Sequence, residues 1–505
     1  MAGAILGQLG DAGVTEPTNT GPDFSSVLTL LVVTFAAFAL VVVLSSALAD
    51  GDTGWHIATG AWIVAHGGVP QTDPFSFTAR GQPWVAHEWL SDVAMYAVWH
   101  WGGWKGLILL FAAAVASLYL IVALHVLRWQ RPGGTALTIL YLSLGLAQSL
   151  LARPHLIALP MMAAWLVALT HAREGERSPP IALALLMLVW ANAHGSFVFG
   201  LALAGAFGLE ALVTAPPGRR WTVVRQWGVF GAACLAAALL TPGGIGGLLY
   251  PFYVNNLTLL TYIVEWQPAR FGGASALEVL ILSGLFFLFF RPVRIPVVRL
   301  LVLLVALHLT LDHIRNQMVL VTIAVILLAE PLGRAWSDGA DRPRPALLPQ
   351  IRSGWRELLP LLAVAAALFA ATTIYRLAVP FDRKDSSGVP ITALRHVPAA
   401  LRSQPVFNEY SFGGLLIFDG IAPYIDGRSD MYGNDFTARY VKIANGDVAS
   451  WRQADARWRF GWTILPPDNP LVAVLDKEPG WRRLYADKWA VIHVSPRAAE
   501  AMGRQ

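Results

Sequence analysis

The sequence predicts a polytopic α-helical membrane protein of about 11 transmembrane helices that ends in an extracytoplasmic α/β domain. Three observations carry this reading. Apolar runs of 16 to 22 residues recur along most of the chain, and about 20 apolar residues cross a hydrocarbon layer of about 30 Å. The 505 residues are 55% hydrophobic and only 14% charged. From residue 384 onward the pattern changes to short alternating apolar runs, Gly and Asp turns and mixed charge, over a length sufficient for an independent domain.

Runs bounded by charge, Gly or Pro place spans near 27–49, 106–127, 135–152, 155–171, 180–193, 196–214, 224–240, 274–290, 296–311, 316–333 and 357–378. Segment 89–104 is apolar, short and rich in Trp, and reads as an interfacial helix or the start of the second span. The chain thus divides into a cytoplasmic tail at 1–26, a transmembrane domain at 27–383 with a long first outer loop at 50–104, and an outer domain at 384–505. Within the last, a helix near 391–402, strands "PVFN", "APYID", "WTILP" and "KWAVIHV", and a helix near 469–477 are expected.

Residues 1–26 contain Asp11, Glu16 and Asp23 but no Lys or Arg, so no cleavable signal is expected. The single cysteine, Cys234, excludes an internal disulfide and a Cys-based zinc site. The net charge of +5 does not predict a nucleic-acid partner, because the basic residues lie mostly in short loops between spans. Fifteen arginines fall in the loops on one side, from Arg128 to Arg356, against four on the other: Arg80, Arg153, Arg270 and Arg315. This bias puts the N-terminus inside and the C-terminal domain outside a plasma membrane.

On that topology nearly every unusual polar residue faces the outer side. Asp50 and Asp52 end the first span, where ionisable groups are costly unless they meet a cavity or a partner. Solvated helix-end charges are the plain alternative. Asp52 also stands where it can cap a short helix at 53–66. On that helix Trp55, Ala58, Trp62 and Ala65 share a face suited to the membrane interface. The following loop carries Asp73, His87 and Glu88. It is not a zinc-protease HExxH, because Ser91 stands where the second His is required. Asp73 suits an Asx turn before Pro74 equally well. Together with Asp50 and Asp52 these groups make an acidic pocket able to hold a divalent cation.

Arg153 and His155 in "LARPHL" either snorkel to lipid headgroups or clamp a phosphate. Asn192 and His194, Glu265 and Arg270, and Asp312, His313 and Arg315 end further hairpins on the same side. Asp426, Arg428 and Asp430 in "IDGRSDMYG" either form a salt-bridged turn or reach over the same cavity.

These residues resemble a family. "DGDTGWHIATGAWIVAHGGVPQTDPFSFTARGQPWVAHEWL", with "ARPHL", "NAHGSF" and "IDGRSDMYG", is similar to bacterial multi-span proteins related to the GT-C glycosyltransferases, among them the protein mannosyltransferases. The resemblance implies a long first outer loop, an essential Asp at the outer end of the first span (Asp52 or Asp50), a polyprenyl-phosphate-linked sugar donor and an outer soluble domain. It also implies an acidic residue in the second outer loop, where this chain has only Arg153 and His155; Asp73, Glu88 and Glu265 are the substitutes that topology offers.

The expected activity is therefore sugar transfer from a lipid-linked donor to a cell-envelope acceptor, with inversion. Asp52 is the general base, and Arg153, His155, His194 and Arg315 face the donor phosphate. A transporter or flippase of a lipid-linked or anionic substrate is the main alternative, though no internal repeat supports it. A non-catalytic, glycan-binding scaffold is the third.

Overall fold

The computed structural model describes residues 23–503 apart from 45, 256, 258–259, 261, 274, 337–342 and 345. Most of the expected tail at 1–26, and Arg342, lie outside the described residues.

The chain is mostly helical, with one small sheet near its C-terminus. Among the described residues, Phe24–Leu44, Trp89–Val126, Pro154–Glu174, Phe197–Thr214, Pro217–Leu239 and Trp355–Ala378 are long and apolar enough to cross a membrane. Ile314–Leu327 and Ala329–Trp336, bent by 47°, make a seventh if taken together. Among the described residues six or seven helices thus have the length of a full crossing, against about eleven expected. Helices such as Pro132–Leu146 (15 residues) and Val297–Asp312 (16 residues) fall short of a full crossing. Large apolar side chains on several helices, among them Val43, Phe289 and Val305, are exposed, as a lipid-facing surface requires.

Segment 89–104 and the second expected span form one helix, kinked at Gly103 (φ 57°, ψ −153°). The Thr53–His66 helix packs along its start, and Asp52 precedes that helix without a side-chain cap bond. Trp55 does not face the interface: it is buried with Trp84, Ala86 and Ile417. Trp62 stacks on His66 at 4.0 Å.

At the ends of the helices remote from Asp52, several of the counted arginines are paired. Arg299 donates to both oxygens of Glu210 (3.0 and 3.1 Å), Arg173 also reaches Glu210 (3.2 Å), and Arg128 meets Glu174 (2.8 Å).

The sheet has the order β1-β2-β4-β3. Its strands are β1 (Val406–Asn408), β2 (Trp462–Leu465), β3 (Arg482–Ala486) and β4 (Val491–Val494). β1 runs parallel to β2, and the other pairings are antiparallel. Alternate residues feed two cores, Val406 and Ile464 on one face and Phe407 and Leu465 on the other, so β1 and β2 are buried on both faces. "APYID" is not a strand. The Asn408 side chain accepts from Tyr424 N and donates to Ile425 O, both at 2.8 Å, and replaces a backbone ladder. The expected 391–402 helix is split into Ile391–Arg395 and Ala399–Arg402 at Pro398, which cannot continue the first piece.

This domain is clasped to the end of the first span. Arg383 donates to Leu48 O (2.8 Å) and Asp50 O (2.6 Å), and Ser386 Oγ to Ala49 O (2.8 Å). Gly51 and Gly414 meet so closely that a Cβ on Gly414 would lie 2.3 Å from Gly51 O.

Candidate active site

Where the C-terminal domain meets the membrane helices there is a cavity of about 1300 Å³, lined from residues as distant in sequence as Asp50, His194, Arg315 and Asn469. It exceeds the usual volume of a single small-molecule pocket, roughly 300–1,000 Å³.

One wall is an ionic cluster. Arg153, at the N-terminus of the Pro154–Glu174 helix, donates from Nε and Nη2 to the two oxygens of Asp50, the second bond at 2.8 Å. Its Nη2 is 3.2 Å from Asp52 and its Nη1 is 3.2 Å from Glu265 Oε1. Arg315 Nη1 lies 3.8 Å from that same Glu265 oxygen, and the Arg315 guanidinium sits 4.0 Å over the Trp266 ring. Burial pushes the Asp52 carboxyl up to about 7; Arg153 opposes this, and Asp50 adds to it. Burial acts the same way on Glu265, but Arg153 and Arg315 outweigh it and hold that carboxyl at about 2. The Asp52 carboxylate rests against Gly427: a Cβ there would lie 2.2 Å from Oδ1.

The second wall is made of imidazoles around Glu88. Glu88 lies 3.4 Å from His194 Nε2, 3.8 Å from His87 Nε2 and 3.9 Å from His56 Nε2. His56 Nδ1 is 2.6 Å from Asp92 Oδ1, and the His87 ring meets Tyr250 at 4.0 Å between centroids, tilted by 36°. Burial pushes Glu88 up to about 8 and His87 down to about 4, so this wall is neutral near pH 7. His155, also facing the cavity, is held by Ser149 O at 2.7 Å. Asp430 completes the rim next to Tyr250, its carboxyl raised by burial to about 6.

The remaining sequence candidates lie at the edge of the cavity or away from it. Asp73, Asp426 and Arg428 form a buried ion cluster at that edge, where Arg428 is part of the lining. Arg428 Nη1 donates to Asp73 (2.7 Å), its Nε and Nη2 to Asp426 (2.8 and 2.7 Å), and Tyr432 adds a bond to Asp426 (2.6 Å). The Asp73 carboxylate also caps Phe75 N and Ser76 N, the turn that Pro74 predicts. Asp312 and His313 pair with each other at 3.2 Å, and neither lines the cavity. Arg270 turns to Gln267 (2.6 Å), and Asn192 accepts from Trp89 Nε1 (2.7 Å).

Sequence reasoning did not select His56, Asp92, Tyr250, Glu409 or Tyr440. The signal for His56 lay within "DGDTGWH", but its partner stands 36 positions away on another helix. Among the described residues, no group of three or more His, Cys, Asp or Glu side chains is arranged to hold a metal ion. Asp50 is engaged by both Nε and Nη2 of Arg153, and Asp52 by the same guanidinium.

The molecule is thus a multi-span helical protein with a GT-C-like fold. Sixteen chains of solved structures match it. One is the Archaeoglobus fulgidus oligosaccharyltransferase, crystallised tethered through a disulfide to an acceptor peptide containing the NVT sequon. The TM-score is 0.51 at 10% identity, over 86% of this chain and 68% of that one. No family model and no curated protein sequence matches.

Proposed function

We propose that the protein is a membrane glycosyltransferase that moves a sugar from a polyprenyl-phosphate-linked donor to a hydroxyl acceptor of the cell envelope, at the extracytoplasmic face. The observation that carries this reading is the pairing of Asp52 with Arg153 on the wall of one large cavity, with Arg315 beside them. A second support is the GT-C-like fold.

In the proposed step the acceptor oxygen attacks the sugar C1 from the face opposite the phosphate, with inversion. The acceptor O–C1 bond forms, and the C1–O(phosphate) bond breaks with its electron pair going to the phosphate. Asp52 takes the acceptor's proton, which contributes roughly 10²–10⁴-fold. Arg153 and Arg315 offset the charge that develops on the leaving phosphate. A lipid-borne donor suits an outward-facing site, because nucleotide sugars are made in the cytoplasm. Flipping of a lipid-linked substrate would use the same arginines but would not need Asp52.

The test is sugar transfer by Asp52→Asn in proteoliposomes loaded with lipid-linked sugar. Transfer should be lost while the lipid still binds, and near-normal turnover removes Asp52 as the base. A phosphatase fused after Gln505 should be active outside the cytoplasm; an inactive fusion overturns the orientation.

A further inference from the structure

Glu265 has no part in the proposed step, yet its Oε1 lies within 4 Å of both arginines assigned to the phosphate, at 3.2 Å from Arg153 and 3.8 Å from Arg315. One carboxylate oxygen bridging two guanidiniums occupies the position that a phosphate oxygen would take. The side chain is 34% exposed, on the cavity wall, whereas Asp50 is 7% exposed and held by two bonds from Arg153. Glu265 is therefore the replaceable anion of the cluster and Asp50 the fixed one.

The local backbone supports a rotating side chain on a fixed mount. Ala269 N donates to Leu311 O (2.9 Å) and Ile314 N to Gln267 O (3.1 Å), so the segment bearing Glu265 is tied to the turn bearing Arg315. Trp266 braces the Arg315 guanidinium from below. Swinging the carboxylate toward the open cavity leaves both arginines in place.

The charges then decide what fits. Arg153 and Arg315 bring two positive charges, and Asp50 and the ionised Asp52 already stand against them. A further anion, whether Glu265 or a phosphate, therefore adds net negative charge, and a singly charged phosphodiester adds less of it than a doubly charged monoester. Sugar transfer leaves a phosphate monoester carrying close to two negative charges at neutral pH. During the transfer the proton taken by Asp52 offsets the added charge. Once that proton is released, the seat holds more negative charge than it did with the phosphodiester.

We propose that Glu265 is the specificity residue of this seat: it holds the phosphate's place between Arg153 and Arg315 in the unloaded protein, yields it to a singly charged phosphodiester, and displaces the doubly charged product by returning. This rests on the reading that the two arginines receive a lipid-borne phosphate.

The experiment is equilibrium binding of decaprenyl phosphate and of its methyl phosphodiester to the full chain in detergent, at about pH 8, where the monoester is doubly charged. The unmodified protein should prefer the phosphodiester. Glu265→Gln should bind decaprenyl phosphate about tenfold tighter, the equivalent of about 1.4 kcal/mol, and lose that preference. Glu265→Asp, which keeps the charge, should retain the preference and serves as the folding control. If both lipids bind and Glu265→Gln alters neither affinity, or weakens both, the role of Glu265 is overturned and the donor site stands. If neither lipid binds the unmodified protein, the donor reading falls and this inference with it.

Discussion

Arg153 and Arg428 are each held between two aspartates, at least one of them from a distant part of the chain, yet they are built for different ends. All three guanidinium nitrogens of Arg428 are bonded to Asp73 and Asp426, Phe75 and Trp84 cover it, and its side chain is 1% exposed. Arg153 has Asp50, Asp52 and Glu265 around it but is 23% exposed, on the wall of a cavity of about 1300 Å³. The first cluster fastens the long loop to the C-terminal domain. The second keeps an open approach and a carboxyl, Asp52, poised near neutrality. Similar residue types thus separate into a fastening and an open cluster of the proposed site by how much of the side chain stays exposed, 1% for Arg428 against 23% for Arg153.

The largest effect expected is on the open cluster. Asp52→Asn should lower sugar transfer by about 10²–10⁴-fold in a radiolabel assay, with the unfolding midpoint close to that of the parent. A residual rate above a tenth of the parent's would erase the distinction.

Next in size is the buried cluster. Arg428→Met leaves Asp73 and Asp426 buried without a cation, and should cost about 3–5 kcal/mol in thermal or denaturant unfolding. A variant that unfolds normally and transfers sugar poorly would move Arg428 into the reaction site.

Arg153→Ala should act mainly on ligand affinity. Loss of a charged hydrogen-bond donor is worth about 1.5–3 kcal/mol, so binding of decaprenyl phosphate should weaken by roughly 10–100-fold. Weakening of that size for Arg428→Met instead would reverse the comparison.

A smaller effect belongs to pH. Asp52 accepts a proton only when ionised, and its carboxyl is raised by burial to about 7. The rate should therefore fall about tenfold per pH unit below about 7. Asp50→Asn removes a neighbouring charge that raises Asp52 and frees Arg153, which lowers it, so the falling limb should move to lower pH. A limb that stays in place, followed in a pH–rate series, would mean that another group titrates there.

Glu88→Gln should do least. Burial raises the Glu88 carboxyl to about 8, so it is protonated at neutral pH and an amide of the same shape stands in for it. Transfer near pH 7 should change by less than about threefold. A large loss would assign work to ionised Glu88.

The sequence predicted much of this arrangement because the bilayer constrains it. Polar residues that end spans at the same depth must face one another or water, and so Asp50, Asp52, Arg153, His194, Glu265 and Arg315 come together in one cavity. Depth alone could not sort the residues carried by long loops. Asp73 and Arg428 stand 355 positions apart, and no spacing rule announces that they neutralise each other. His56 and Asp92 meet across two packed helices, a pairing set by tertiary contact and invisible to helical periodicity. β3 was not among the expected strands: it opens on two arginines, which as an edge strand it exposes, and Arg483 reaches Asp476.

The contact between Gly427 and Asp52 has a consequence in time. Asp52 is made well before Gly427, which follows it by 375 positions in the chain. At about 5–20 residues per second, the carboxylate waits on the order of tens of seconds for the backbone that will seat it. A chain broken anywhere before Gly427 would keep its first helices and lack the backbone against which the Asp52 carboxylate rests.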